Sequence, residues 1–572
     1  MAAALLVVCA FGLAVRLWGI GYLLPFAIVG DGSVLVTQVE LLRAGADPAR
    51  PVAGSDGYPL LLARAAALLP SEDTTDDAPA SLTASLRRAA APWRDLRLVS
   101  VLLSMLAVPA TWSLARRFLG ARWAVLAAAF FATSLLHADF SAQERPHGAA
   151  TTFIAIAVLG ALRLRERPDV RAYLLAGLTA GLAIGTLQSG LSVLPAFAVA
   201  LVLRERGPRR ASLGWSLASL LIVAVLVRWL YPFYFSGRPV HVDSSAPGDS
   251  VANVGGHEVH LGGFDGTGFW RIATSLCFWD PILTAAALAG SACLAARALR
   301  ARTWDRRARD AAVVAAHALP YLFVTGMYTF TLERFLMPLL PVLACLAAYG
   351  VRAAVDALAP RRALAGVRAG LAVALPALAA LPVVQLARLH GAETTNDIAG
   401  RWLGAHAGAD DAIVVIPYVE VPLFQDEATL ARNLESAPFS RWTAHQSRMS
   451  PAAFGGPRHR LLIAPPSRVS ALRRLAEDPA RYFAEHDARY VLLGLFGSTT
   501  AVLSATRDAL RRDARLVLRV LPERVDSGTS PIVAALHADE GPAPSSRFRR
   551  PYGLCLFDYE RMGPTLELYA FD

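Results

Sequence analysis

The sequence contains no lysine: all 56 of its basic residues are arginine, set against 45 acids, for a formal net charge of +11. Charged residues make up only 18% of the chain, and the arginines cluster beside apolar segments, as topology signals do rather than a nucleic-acid-binding face. Cysteine is scarce too. Cys9, Cys293 and Cys345 lie within apolar stretches, Cys277 borders one, and Cys555 falls in the polar tail, so neither a disulfide framework nor a zinc spacing can be read. Internal repeats, a Walker motif and a dinucleotide fingerprint are all missing, which removes solenoids and the common nucleotide-binding folds. The amino-terminal segment has no Ala-x-Ala-like cleavage site and is apolar for longer than a signal-peptide core, so it reads as a retained span.

What is abundant is apolar surface. Of 572 residues 55% are hydrophobic, and the mean hydropathy is +0.42, which is too apolar for a soluble chain of this length and predicts a polytopic α-helical membrane protein. A membrane-crossing helix needs about 20 mostly apolar residues, which gives roughly eleven spans. They fall near 2–24, 98–117, 121–138, 148–164, 171–186, 188–204, 211–232, 277–298, 310–328, 335–356 and 363–386. The arginine-dense connections "ARRFLGAR", "RLRERPDVR", "RERGPRR", "RALRARTWDRRARD" and "DALAPRRALAGVR" then share one side, which the positive-inside rule names cytoplasmic. The basic stretch "SLRRAAAPWRDLR" (Ser85–Arg97) breaks the pattern by lying on the other side.

This arrangement predicts a membrane domain over 1–389, with outer loops near 25–97 and 234–270, and an extracytoplasmic α/β domain over 390–572. In the latter, short β-branched runs such as "DAIVVIPYV" and "ARYVLLGLF" alternate with helical stretches. The predicted location is a cytoplasmic membrane, crossed many times.

Ionisable residues at membrane depth are costly and often functional, so those at outward span ends are the candidates. Asp31 follows the first span. "HADFSAQERPHGAA" supplies Asp139, Glu144, Arg145 and His147 from a short outer turn; "GSDGYPLLL" supplies Tyr58; and "TLERFLMPLLP" supplies Glu333 and Arg334. His257 and His260 in "GGHEVHLGGFDG" have a spacing seen in metal sites, but the glycines argue for a loop and only Glu258 accompanies them. No cofactor is therefore expected; a divalent metal is possible but not indicated. Loop histidines and Asp265 are candidates for contact with a bound ligand.

Together these stretches resemble the polyprenyl-phosphate-dependent GT-C glycosyltransferases, the clan of protein O-mannosyltransferases and lipid A aminoarabinose transferases. "VRLWGIGYLLP", followed by an Asp-containing loop and Tyr58-Pro59, is similar to the opening of bacterial members. "ARRFLGARWAVLAAAFFATSLLHADFSAQERPH" resembles the pattern of a cytoplasmic turn leading to an outer Arg-Pro-Asp, and "ERFLMPLLPVLACLAA" a later family segment. Two departures stand out. Family members commonly carry Asp-Glu where this chain has Asp31-Gly32, and His147 replaces the acid of Arg-Pro-Asp.

The resemblance implies transfer of a sugar from a polyprenyl-phosphate carrier to a lipid, glycan or protein acceptor outside the cytoplasm. A carboxylate at the membrane rim, Asp31, would take the acceptor's proton, while Arg145 and Arg334 would hold the phosphate through their planar forks. The competing readings are plain ones: a helix-boundary acid for Asp31, snorkelling for the arginines, and local pairing for Glu144 and Glu333. At the level of function the alternatives are a flippase for lipid-linked saccharides, which would favour mid-span charge pairs and inverted repeats, and a non-catalytic envelope assembly protein.

Overall fold

The computed structural model describes residues 1–26, 30–47, 58–70, 81–204, 209–235, 251–254, 257–300, 304–358, 365–416, 419–436, 440–450, 453–464, 475, 477–495, 501–524 and 550–571. Helix α1 covers Ala2–Leu17, and turns continue to Phe26. Helices α2 (Gly30–Arg43), α3 (Leu61–Ala67) and α4 (Leu82–Met105) follow. Next come α5 (Ala107–Leu119), α6 (Ala121–Ala132), α7 (Leu135–Ser141), α8 (His147–Glu166), α9 (Val170–Thr186), α10 (Val193–Val202) and α11 (Arg209–Leu230). After a hairpin of β1 (Val251–Val254) and β2 (His257–His260) run α12 (Thr267–Trp279), α13 (Pro281–Arg300), α14 (Arg306–Met327), α15 (Leu340–Leu358) and α16 (Ala365–His390).

Each expected span contains a helix, although the first is helical only to Leu17. Among the described residues, seven stretches are long and apolar enough to cross a membrane, and α6 with α7 forms an eighth if the pair, bent by 57°, is one span. Three shorter apolar helices, Ala2–Leu17, Val170–Thr186 and Gln188–Val202, occupy the remaining positions. The protein is a multi-pass membrane protein. Small residues let the helices approach closely: on α9, Gly177 lies against the backbone of Ser219, and Gly181 and Gly185 face Leu226 and Leu230 of α11.

Two expectations need correction. The first span was expected to stay helical to about residue 24 and hand Asp31 on from its end, but α1 stops at Leu17 and Asp31 stands in the first turn of a separate helix, α2. The region expected as a loop over 25–97 instead contains α2, α3 and the first half of α4, which are packed around Leu35, Leu62, Trp93 and Leu96.

The carboxy-terminal part is an α/β sheet. Its strands are β3 (Ala412–Ile416), β4 (Phe424–Gln425), β5 (Arg458–Ile463), β6 (Ala488–Leu495), β7 (Arg515–Val520) and β8 (Thr565–Ala570), in the order β4-β5-β3-β6-β8-β7. β3 pairs in parallel with β5 and β6, whereas β8 runs antiparallel to both β6 and β7. The apolar run in β3 follows from burial on both faces. Ile413 and Val415 pack with Leu403 of α17 (Thr395–His406), while Val414 and Ile416 pack with Phe483 and Leu510. A late segment leaves the sheet: Tyr552, Leu556, Tyr559 and Met562 join the core of the helical bundle, with the Tyr552 ring centred 4.6 Å from that of Trp279.

Candidate functional site: a buried charged cluster at the sheet end of the bundle

The bend between α6 and α7 is built by polar groups. Ser134 caps α7, accepting from the His137 backbone N–H, and Asp280 accepts from the Ser134 hydroxyl at 2.7 Å and the Leu135 N–H at 2.7 Å. Asp280 is thus committed to a helix start. From α1, the fully buried Arg16 reaches the same bend, donating to Ser141 Oγ at 2.9 Å and to the carbonyls of Gly12 and Ala132, with Nη2 2.8 Å from His137 Nδ1. A guanidinium at this depth is tolerable because its donors are met by fixed acceptors.

Helix α7 and the turn after it carry Asp139, Glu144 and Arg145, all buried. Asp139 accepts from Gln143 Nε2 at 3.0 Å and lies within electrostatic reach of Arg145. Glu144 is held by Arg97, whose Nε donates to Oε2 at 2.7 Å. The rest of the Arg97 fork donates to the carbonyls of Ile20 at 3.0 Å and Tyr22 at 2.8 Å, and its plane sits over the Tyr22 ring at 4.3 Å. Tyr22 stacks in turn on His390, with centroids 3.8 Å apart. Removing one partner of such a buried pair strands a charge, which is why its second contacts matter.

Pro146 precedes α8, whose first residue, His147, faces a 3-10 turn over Glu333–Leu339. The His147 and Phe335 rings lie 6.5 Å apart and 20° from parallel, and the Arg334 guanidinium sits 5.4 Å from that same Phe335 ring. Arg145, His147, Glu333 and Arg334, which come from two distant stretches of sequence, therefore gather at one end of the bundle, all of them buried.

Asp31 approaches this cluster by its backbone. Its side chain lies outside the described residues, but the next residue, Gly32, packs so tightly that a Cβ there would fall 2.5 Å from Glu144 Oε1 and 2.5 Å from Trp93. Tyr58 is half-buried against the neighbouring cluster of Leu35, Leu62 and Trp93. His257 stands on β2, a strand rather than the expected loop, and its side chain too lies outside the described residues. That hairpin leans on the segment leading to Glu333, since the His260 N–H donates to the Tyr328 hydroxyl and the His260 ring lies 5.1 Å from Phe330. Asp265, considered for ligand contact, accepts from the Thr267 N–H at 2.9 Å and hydroxyl at 2.7 Å, bonds that hold its carboxyl below the usual range and tie it to the first residue of α12.

Arg97, Tyr22 and His390 were not anticipated as part of the cluster. A signal for Arg97 existed in "SLRRAAAPWRDLR", the one basic stretch on the wrong side of the topology. Of its four arginines Arg97 is used inside the fold, on Glu144, and the neighbouring Asp95 pairs with Arg43 at 2.7 Å.

Residues 82–231, which span α4 to α11 and include Arg97, Asp139, Glu144, Arg145 and His147, match the family model of dolichyl-phosphate-mannose-protein mannosyltransferases. That stretch, about a quarter of the chain, is similar to this mannosyltransferase family. No curated protein sequence matches the chain. Among solved structures, the chain is similar to the Archaeoglobus fulgidus oligosaccharyltransferase tethered with an acceptor peptide, at 13% identity and a TM-score of 0.47, over 86% of this chain and 69% of that one. It is also similar to ArnT from Cupriavidus metallidurans bound to undecaprenyl phosphate, at 15% identity and a TM-score of 0.43, over 93% and 99% of the two chains.

Proposed function

We propose that the protein is an inverting glycosyltransferase that moves a sugar from a polyprenyl-phosphate carrier to a lipid, glycan or protein acceptor on the extracytoplasmic side of a bacterial cytoplasmic membrane. The observation that carries this reading is the convergence of two kinds of group at one end of the bundle. The helix turn bearing Asp31 closes on Glu144, and the adjoining α8 start and 3-10 turn bring Arg145 and Arg334 to the same region.

In this reading Asp31 takes the proton from the acceptor hydroxyl as its oxygen attacks the anomeric carbon. The bond from that carbon to the phosphate oxygen breaks, and the polyprenyl phosphate leaves with the electron pair. Phosphate needs no general acid, but its charge needs partners, which Arg145 and Arg334 supply as planar two-pronged donors. A single displacement inverts the anomeric configuration. Glu144 is less suited to the base role because its Oε2 is already taken by Arg97 at 2.7 Å.

The test is sugar transfer by purified, monodisperse Asp31→Asn protein, with donor binding measured alongside. Donor binding is expected to persist while turnover falls about 10² to 10⁴-fold. A near wild-type rate would remove Asp31 and make Asp139 the next candidate. Arg334→Lys is expected to weaken donor binding although charge is kept; unchanged binding in both Arg145→Ala and Arg334→Ala would remove the arginines from the site.

A further inference from the structure

The helix that carries Asp31 is held from two sides, and one of them is the carboxy-terminal sheet. On the bundle side, Gly32 lies against Glu144 and Trp93. On the other side, after α18 (Glu427–Ser436), stands α19 (Arg441–Gln446), a short helix beside the edge strand β4. From its first residue, Arg441 reaches across to α2, donating to the Ser33 carbonyl and the Thr37 hydroxyl, with Nη1 3.6 Å from the Glu40 carboxylate. Arg448 reinforces the contact at Glu40, 3.3 Å away. Just upstream of Asp31, Phe26 is buried in a cluster with Phe424 and Trp442 of the sheet part and Ala89 of α4. The turn bearing Asp31 is thus bracketed in sequence by two anchors, Phe26 and Ser33, both of which contact the carboxy-terminal part.

The sheet side of this clamp is well braced. Ser440 caps α19, accepting from the Thr443 N–H, and its own hydroxyl is held by the buried Glu420 at 2.6 Å. Gln446 accepts from the Gln425 N–H at 2.8 Å, which ties the far end of α19 to β4. Arg441 therefore projects from a short helix fixed at both ends. A guanidinium bonded to a helix carbonyl and a side chain one turn on sets both the position and the rotation of that helix.

We propose that Arg441 is a positioning residue for transfer: the carboxy-terminal sheet belongs to the catalytic apparatus and sets where Asp31 stands, instead of being an appended acceptor-binding module. This rests on the reading of Asp31 as the base. Misplacement of a reacting group by about 1 Å can cost roughly 10²-fold in rate, so loosening α2 acts on turnover more than on binding of the donor, whose phosphate is assigned to Arg145 and Arg334.

The experiment uses the full-length protein in nanodiscs, comparing wild type, Arg441→Met, Arg441→Lys and the exposed-surface control Arg481→Gln. Amide hydrogen exchange over residues 30–43 and steady-state transfer from a polyprenyl-phosphate sugar are both measured. For Arg441→Met we expect exchange in α2 to rise roughly tenfold or more, with the sheet strands and α8 still protected. Its kcat is expected to fall about 10 to 10²-fold, with KM for the donor within about twofold of wild type. Arg441→Lys should recover part of both losses, and Arg481→Gln should match wild type. Unchanged α2 exchange in Arg441→Met, a loss of protection spread across the sheet, or a loss seen in KM instead of kcat would each overturn the proposal. Hydrogen exchange needs no turnover, so failure of the clamp is read separately from failure of the glycosyltransferase reading, which would show as absence of transfer by wild type or full activity in Asp31→Asn.

Discussion

Gly32 has no room for a side chain. A Cβ would stand 2.5 Å from Glu144 Oε1 and 2.5 Å from the Trp93 ring, and both neighbours are fixed, Glu144 by Arg97 and Trp93 by the core around Leu35 and Leu62. Gly32→Ala must therefore displace a buried ion pair or a buried indole, an overpacking cost of about 1–3 kcal/mol. The expected outcome is a lower melting temperature of the purified protein together with reduced sugar transfer. A variant that melts and transfers like wild type would show that Gly32 and Glu144 are not in contact. From sequence alone, the glycines flanking Asp31 read as slack backbone that can bend around a substrate. What "GDG" could not reveal is that Gly32 is filled from outside by an acid more than a hundred residues away. Charge type and span position pointed to Arg145 and Arg334; the misplaced basic stretch marks Arg97 as unusual, but that it pairs with Glu144 depends on the fold of α4 over α7.

At the level of elements, legibility followed burial. β3 announces itself because a strand covered on both faces must be apolar at every position, whereas α2 mixes polar and apolar residues between two partners and looks like loop. The two-residue strand β4 and the six-residue α19 are too short for any periodicity to show, although they hold the clamp on α2. Their brace is itself titratable. Burial lifts the Glu420 carboxyl from 4.5 to about 7, outweighing the Ser440 and Trp442 hydrogen bonds that pull it down. With the folded value above the unfolded one, the folded protein keeps a proton that the unfolded chain releases between those pH values. This group's contribution to stability is thus largest below about pH 4.5, declines as pH rises to about 7, and is constant above. Glu420→Gln keeps an acceptor for Ser440 and removes the titration. Relative to wild type it should gain stability between pH 5 and pH 8, by an amount on the order of 3 kcal/mol. Thermal melts of both proteins across that range check this, and a constant offset between them would mean that Glu420 titrates normally.

Across the whole molecule, the two ends of the bundle differ in what their arginines do. At one end they are shared among connections: Arg117 pairs with Glu166 at 2.8 Å, Arg165 with Asp310 at 2.8 Å, and Arg306 also reaches Glu166. Arg352 donates to the Leu119 carbonyl at 3.2 Å, and Arg204 to the Tyr173 hydroxyl at 2.9 Å. The connections bearing Arg117, Arg165, Arg204 and Arg306, expected on one side of the membrane, thus meet in space at one end, while the arginine side chains of "DALAPRRALAGVR" lie outside the described residues. At the opposite end lie the sheet, the α6–α7 bend and the charged cluster, and the arginines of "SLRRAAAPWRDLR" that contradicted the charge rule include Arg97, which is buried in that cluster. An arginine paired inside the fold does not act as a retained cytoplasmic charge, so the remaining bias sets the orientation with the paired end inside. The prediction is a cytoplasmic amino terminus and an extracytoplasmic sheet. A reporter active only in the cytoplasm should be silent when fused after Asp572 and active when placed in the connection between α13 and α14. Signal after Asp572 would invert the bundle, put the charged cluster on the cytoplasmic face, and leave a polyprenyl-linked donor presented outside with no access to Arg145 and Arg334.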